Sequence, residues 1–269
     1  MSEISKSFAG LAEREGALVA YVMGGDPDPD ACSKVIDAVV AGGADILELG
    51  IPFSDPIADG KSIQAAAVRA LSAGTTPRRV LELAKNAKEK HHVPVALMTY
   101  FNIFYSQGFE NFLRLAKSHG VDGIIIPDLP LDEASRYARI SRRVGVDNIL
   151  LAAPTTPAGR MRMLASNTSG FLYLVSILGV TGARRSLRRG TLTLIADAHR
   201  YTRDKVPLAV GFGISAPEHV REVIRAGADG VIVGSSIVDR VADYRENKRA
   251  KVLQNVEEYV RSLKAATRG

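Results

Sequence analysis

Four carboxylates, Asp45, Glu48, Asp55 and Asp59, fall close together in the stretch DILELGIPFSDPIADGKSIQAA, and their surroundings differ. Glu48 stands between Leu47 and Leu49 in an apolar run, so a strand covered on both faces would hold an ionisable group away from water, which is costly unless something compensates. Asp55 and Asp59 sit on the Pro/Gly-rich segment that follows, and SIQAAAVRALSAG from Ser62 reads as a helix. A carboxyl in an apolar setting can carry a proton near neutral pH, and one in a polar setting stays ionised. Two such groups side by side are the raw material of acid–base catalysis. The alternative is that Glu48 is a buried ion-pair partner, since structural ion pairs also perturb such groups.

Other chemistries find less support. Cys32 is the only cysteine, so no internal disulfide or cysteine metal cluster can form, and it falls in an apolar helical pattern that suits a core thiol. His91, His92, His119, His199 and His219 lack the spacing of a metal site and read as surface or helix-end residues, so no metal is expected. The formal net charge is +6. The densest basic cluster, Arg184, Arg185, Arg188 and Arg189, has no interleaved aromatics and no nucleic-acid fold signature beside it, so a solvated surface is the simpler reading and nucleic acid is not the expected partner. No apolar run reaches the roughly 18 residues needed to span a bilayer and the start, MSEISKSFAG, lacks a secretion signal, so a cytoplasmic protein is expected.

The elements that must position Glu48 and Asp59 come from the alternation of short apolar runs with amphipathic stretches. Eight runs stand out, at 17–23, 45–50, 94–100, 122–128, 148–154, 171–176, 207–212 and 229–234. Between them, segments such as PDACSKVIDAVVAGG, PRRVLELAKNAKEKHH, FENFLRLAKSHG, LDEASRYARISRRVG and APEHVREVIRAGA place apolar residues every three or four positions and several close on Gly, as helices do. Eight buried strands, each followed by a helix, predict an α/β fold, a (β/α)8 TIM barrel forming a single domain over 1–269, with extra helices at 2–14 and after 76. A doubly wound open sheet would call for a Gly-rich fingerprint after its first strand. MGGDPDPD does not supply one.

In a barrel the C-terminal strand ends and the loops after them surround the active site. That gathers Glu48 at the end of the second strand, Asp59 on the loop after it, Tyr173 on the sixth strand, Gly182 in the following loop, GFGIS (211–215) after the seventh strand and GSS (234–236) after the eighth. Gly213 and Gly234 permit close backbone approach, and Ser215 and Ser235 can donate hydroxyl hydrogen bonds. The pair of turns fits a phosphate site, although each alone would pass as ordinary turn chemistry.

At these residues the chain resembles the tryptophan synthase alpha family. ELGIPFSDPIADG, IQAA, the YFN of 100–102, GVTGAR, GFGIS and GADGVIVGS occur in the expected order and spacing across most of the chain. The long first block is specific, whereas the glycine turns are shared by many phosphate-binding barrels. The resemblance implies a lyase of L-tryptophan biosynthesis that cleaves indole-3-glycerol phosphate by a retro-aldol reaction into indole and glyceraldehyde 3-phosphate. It implies no cofactor on this chain, and a partner beta subunit, carrying pyridoxal phosphate, in an alpha2beta2 heterotetramer.

It also implies residue roles. Glu48 is the acid and then base, and Asp59 steadies positive charge on the ring N–H. Tyr173 lines the pocket near Glu48; Tyr21, Ile63, Met98, Ile125 and Phe212 enclose the indole, for each of which ordinary barrel core is the competing reading. Gly182, Gly213, Gly234 and Ser235 hold the phosphate. Pro52, Asp55 and Asn102 belong to the subunit contact, with a loop carboxylate that shapes the turn as the competing reading for Asp55, and Thr181, on the long loop SILGVTGARRSLRRG, bonds Asp59 when that loop closes. Lys61, Ile177 and Leu178 depart from the commonest family pattern and bear on loop stiffness and partner coupling. Two other readings stay in view: a sugar-phosphate isomerase or epimerase on the same scaffold, and a non-catalytic partner that activates a beta subunit.

Overall fold

The computed structural model describes residues 1–57, 59–105, 108–175, 189–202, 206–244 and 248–268. The described strands are β1 (Ala17–Met23), β2 (Ile46–Gly50), β3 (Val95–Met98), β4 (Gly123–Ile125), β5 (Asp147–Ile149), β6 (Leu151–Ala152), β7 (Leu172–Val175), β8 (Leu208–Gly211) and β9 (Gly230–Val233). All pair in parallel, in the order β5-β4-β3-β2-β1-β9-β8-β7-β6. Only Leu150 separates the two ends of that list, and its carbonyl accepts from the N–H of Tyr173 at 3.0 Å. β5 and β6 are therefore one stave, and the ring closes as a (β/α)8 barrel of the eight strands expected from the apolar runs.

Around it lie α1 (Glu3–Ala9), α2 (Pro29–Ala41), α3 (Lys61–Ser72), α4 (Pro77–His91), α5 (Phe101–Tyr105), α6 (Phe109–Ser118), α7 (Leu131–Val144), α8 (Ala158–Asn167), α9 (Arg189–Thr202), α10 (Pro217–Arg225), α11 (Ser235–Val241) and α12 (Arg249–Ala266). Local chemistry sets several ends. Asp28 caps α2 by accepting from the N–H of Ala31, Thr76 caps α4, and each of these helices opens on proline, whose missing N–H costs nothing there. The expected helix at 2–14 is shorter, spanning Glu3–Ala9 with Gly10 as its C-cap. Its Ile4 and Phe8 enter the barrel floor, with the Phe8 and Phe171 rings 5.8 Å apart. Among the described residues no helix is long and apolar enough to cross a membrane.

Alternation along each strand divides the apolar residues into two cores. Val19, Ile46, Ala96, Ile125, Ile149, Phe171, Tyr173, Ala209 and Ile232 fill the barrel interior, while Leu18, Leu47, Leu49, Leu97, Leu172, Val210 and Val231 pack outward beneath the helices. This is the pleat at work: neighbours in sequence face opposite sides, and a parallel sheet covered on both faces needs apolar residues on each. In the second run it sends Leu47 and Leu49 out to the helices and leaves Glu48 facing in.

Candidate active site at the barrel mouth

In-register pairing sets Tyr21 of β1 beside Glu48 of β2, with Ala96 of β3 next in the row. Above them opens a cavity of about 680 Å³, counting its open mouth, lined by Tyr21, Glu48, Asp59, Gly60, Ile63, Met98, Tyr173, Phe212, Gly213, Ile214, Ser215, Ile232, Gly234, Ser235 and Ser236. Ten residues assigned to the site from sequence thus meet at one place: Glu48, Asp59, Tyr21, Ile63, Met98, Tyr173, Phe212, Gly213, Gly234 and Ser235.

Glu48 is 1% exposed, and its Oε2 has no hydrogen-bond partner. Burial, with a further contribution from the nearby charge of Asp59, pushes its pKa up to about 8. No ion pair accompanies it among the described residues, so the buried salt-bridge alternative finds no partner there. A neutral carboxyl with a free oxygen aimed at a cavity is poised to exchange a proton with whatever enters.

Asp59 is less polar in its setting than the sequence suggests. Burial raises its pKa to about 6, offset in part by a hydrogen bond from the side chain of Tyr100 that favours the ionised form. It is nonetheless the more acidic of the two, so near neutrality the site holds one proton on Glu48 and a charge on Asp59. Tyr100, itself 3% exposed and stacked on Phe53 with centroids 5.3 Å apart, is a contributor that the YFN motif contained but sequence alone could not orient.

Two glycines make room for the two tyrosines. A Cβ on Gly50 would lie 2.1 Å from the Tyr21 hydroxyl oxygen, and one on Gly211 would lie 2.4 Å from that of Tyr173. Each tyrosine is buried enough that its pKa is raised well above the ordinary value, so both keep their protons as donors. The next residue after Gly211, Phe212, has φ 68° and Gly213 has φ 74°. Glycine tolerates that region; a bulky aromatic residue there is strained, and such strain gathers at functional sites. Phe212 is 40% exposed and meets Tyr173 edge-on, the centroids 6.0 Å apart.

Ile63 and Met98 form an apolar wall with Tyr21 and Met23. Ile125 does not line the cavity; it is fully buried in the barrel interior, so the core reading holds for it. Pro52 is buried in the loop after β2, whereas Asp55, bonded by the Ser54 hydroxyl at 2.6 Å, and Asn102 are exposed. Thr181 and Gly182, with Ile177, Leu178, Arg184, Arg185 and Arg188, lie outside the described residues. His219 is on the first turn of α10, as a helix-end residue, but is buried rather than superficial. Among the described residues no group of histidine, cysteine and carboxylate side chains gathers as a metal site requires, and the described lining contains no histidine or lysine.

A closed parallel barrel whose C-terminal rim joins a buried acid, an ionised neighbour and two small-residue turns defines a (β/α)8 barrel enzyme of the acid–base kind. The family model described as tryptophan synthase alpha chain matches residues 8–268. A tryptophan synthase alpha chain of Prochlorococcus marinus subsp. pastoris is 46% identical over 249 residues, 92% of this chain and 88% of that protein. One from Methanothermobacter thermautotrophicus is 43% identical, covering 97% of each. A solved tryptophan synthase a2b2 complex of Pyrococcus furiosus contains a chain that superposes with a TM-score of 0.85 at 40% identity, over 93% of this chain and 98% of that one. The chain belongs to the tryptophan synthase alpha chain family.

Proposed function

We propose that this chain, a lyase of tryptophan biosynthesis, cleaves indole-3-glycerol phosphate into indole and glyceraldehyde 3-phosphate with Glu48 and Asp59 as its catalytic pair. The observation that carries the assignment is the buried, unpartnered Glu48 carboxyl facing the cavity. The reaction breaks the bond between indole C3 and the first side-chain carbon. A proton is added at C3, giving an indolenine with positive charge on its nitrogen, and the hydroxyl on the adjacent carbon loses its proton. As the carbon–carbon bond breaks, its electron pair restores the aromatic ring and the hydroxyl carbon becomes the aldehyde.

Glu48 holds its proton at neutral pH, donates it and then, as the carboxylate, takes one back. Asp59, ionised above about pH 6, stabilises the ring N–H as positive charge develops. Tyr173 and Tyr21 supply donors near Glu48, and Ile63, Met98 and Phe212 wall in the indole. Backbone N–H groups at Gly213 and Gly234, with the Ser235 hydroxyl, face the phosphate, joined in this reading by Gly182. A water-poor cavity strengthens each of these electrostatic contributions.

The partner is a tryptophan synthase beta subunit, in an alpha2beta2 assembly, and the pyridoxal phosphate chemistry belongs to that subunit. The rim carrying Pro52, Asp55 and Asn102 is the face assigned to it; Ile57, on the loop after β2, and Tyr105, at the end of α5, are 84% and 74% exposed and are apolar surface that such a contact would cover. In this reading the chain works in the cytoplasm as one barrel domain. An isomerase or epimerase of sugar phosphates would call for a histidine or lysine, or a cluster of metal-ligating side chains, at the strand ends; the described lining holds neither histidine nor lysine, and no such cluster gathers among the described residues.

The test is indole release from indole-3-glycerol phosphate, with and without a beta subunit. Each of Glu48→Gln and Asp59→Asn is expected to lower turnover by about 10²–10⁴-fold. Turnover of sugar phosphates alone, or an effect confined to the partner's rate, would overturn the assignment.

A further inference from the structure

Tyr259 projects from α12 behind the two turns that face the anion end of the cavity. Its hydroxyl bridges the carbonyl oxygen of Ser215 at 3.0 Å and Oγ of Ser236 at 2.7 Å. Ser215 belongs to the turn after β8 and Ser236 to the start of α11, and both line the cavity. The Arg240 guanidinium lies 3.4 Å from the centroid of the Tyr259 ring while Nη1 donates to the Ser236 carbonyl oxygen at 2.7 Å. On its other side, Ser215 donates its N–H to Nδ1 of the buried His219 at 3.3 Å. The backbone N–H and carbonyl of Ser215 are thus both occupied by the scaffold.

We infer that Tyr259 is a positioning residue for the phosphate group: it sets the spacing between the turn after β8 and the first turn of α11, and so sets affinity for the anion without touching it. The inference rests on the phosphate-binding reading given above. Physically, two loops that converge on one ligand from separate strands must be held at the separation the ligand requires, and a misplacement of about 1 Å weakens every donor at once. A part-buried hydroxyl bonded to both loops, with a cation stacked on its ring, supplies that brace from a long helix packed against α2, α10 and α11.

Tyr259→Phe keeps the ring and the Arg240 contact and removes only the bridge. In the full chain, calorimetric titration with inorganic phosphate is expected to show affinity reduced about five- to tenfold, as loss of one good hydrogen bond implies. KM for indole-3-glycerol phosphate rises by the same factor, kcat stays within about twofold, and affinity for free indole is unchanged. Ser236→Ala removes the other end of the bridge, and combined with Tyr259→Phe it is expected to add little further loss. Unchanged phosphate affinity in Tyr259→Phe, an equal loss of phosphate and indole affinity, or full additivity of the two substitutions would each overturn the brace. A wild-type chain that binds no inorganic phosphate at all would overturn the phosphate reading itself, which is a different outcome from a variant that binds it as the wild type does.

Discussion

Gly50 and Tyr21 compete for one space: a Cβ at position 50 would stand 2.1 Å from the tyrosine hydroxyl oxygen and 2.7 Å from its ring carbon. The glycine ends β2 two residues beyond Glu48, and the tyrosine is paired in register with Glu48. Gly50→Ala is therefore expected to push the Tyr21 ring toward the cavity. Overpacking of this kind costs about 1–3 kcal/mol, and a displaced wall beside the acid should lower indole release more than it lowers the melting temperature. Turnover unchanged in a folded variant would show that Tyr21 has room the present geometry denies it.

The two carboxyls set a pH window. Below about pH 6 Asp59 takes up a proton and its stabilising charge is lost; above about pH 8 Glu48 gives up the proton it must donate. The kcat/KM profile is expected to be bell-shaped between those values, which belong to the interacting pair. Because the charge of Asp59 helps hold the Glu48 pKa up, Asp59→Asn should move the alkaline limb of the residual activity to lower pH. An alkaline limb that stays in place would remove the coupling.

Glu48 also costs stability. With an ordinary pKa of 4.5 when unfolded and about 8 when folded, it is protonated in both states below about pH 4.5, so there it contributes no difference. Between those values the unfolded chain loses the proton and the native one keeps it, so stability falls as pH rises, levelling above about pH 8. Glu48→Gln is expected to be more stable than the wild type by roughly 4 kcal/mol at pH 8, the gap closing toward pH 4.5. Urea melts at the two pH values measure it, and a pH-independent difference would contradict the burial account.

Phe212 holds a backbone conformation that suits glycine. Phe212→Gly relieves that strain while deleting a ring that is 40% exposed and edge-on to Tyr173. Stability should stay within about 1 kcal/mol of wild type, yet KM for the indole substrate should rise, because the strained residue serves the ligand and not the fold. A large loss of stability with KM unchanged would reverse that assignment.

Asp26 is 2% exposed and takes both ends of the Arg69 fork, at 2.7 and 2.8 Å, tying the loop after β1 to α3. Arg69→Met leaves the carboxyl buried alone. The expected cost is about 2 kcal/mol, below the 3–5 kcal/mol of a fully buried pair because the Arg69 side chain is 29% exposed. Adding Asp26→Asn should recover part of it; an additive double variant would mean that the two groups are not coupled.

Much of the fold could be read directly because barrel periodicity is local. Each of the eight apolar runs became a stave, the fifth interrupted at Leu150, and helices such as 77–91 and 131–144 announced themselves by apolar spacing and end signals. The alternation of strand and helix implies α8 and α9 without marking their bounds, and α12, beyond the last strand, carries a buried stripe of Val252, Val256, Val260 and Leu263 and packs on α2, α10 and α11. At the site, Glu48 and Asp59 were visible as carboxylates of unlike surroundings and the glycines as turns. Tyr100 and Tyr259 were not, because the contact of each is made to a residue distant in sequence, and Ile125 lies one layer below the cavity, a distinction hidden in sequence because inward-facing residues all look alike before depth along the barrel is known.

By itself the sequence determined which residues could do the chemistry: a glutamate whose alternation with leucines turns it inward, an aspartate on the following loop, and small residues where two later strands end. Only the tertiary structure decided that Glu48 has no ion-pair partner among the described residues, that Asp59 is tempered by Tyr100, and that Tyr259 ties the turn after β8 to the start of α11. The physical reason is that side-chain type and direction follow from a period of two along a strand, whereas desolvation and hydrogen bonding depend on what closure of the barrel brings from elsewhere in the chain.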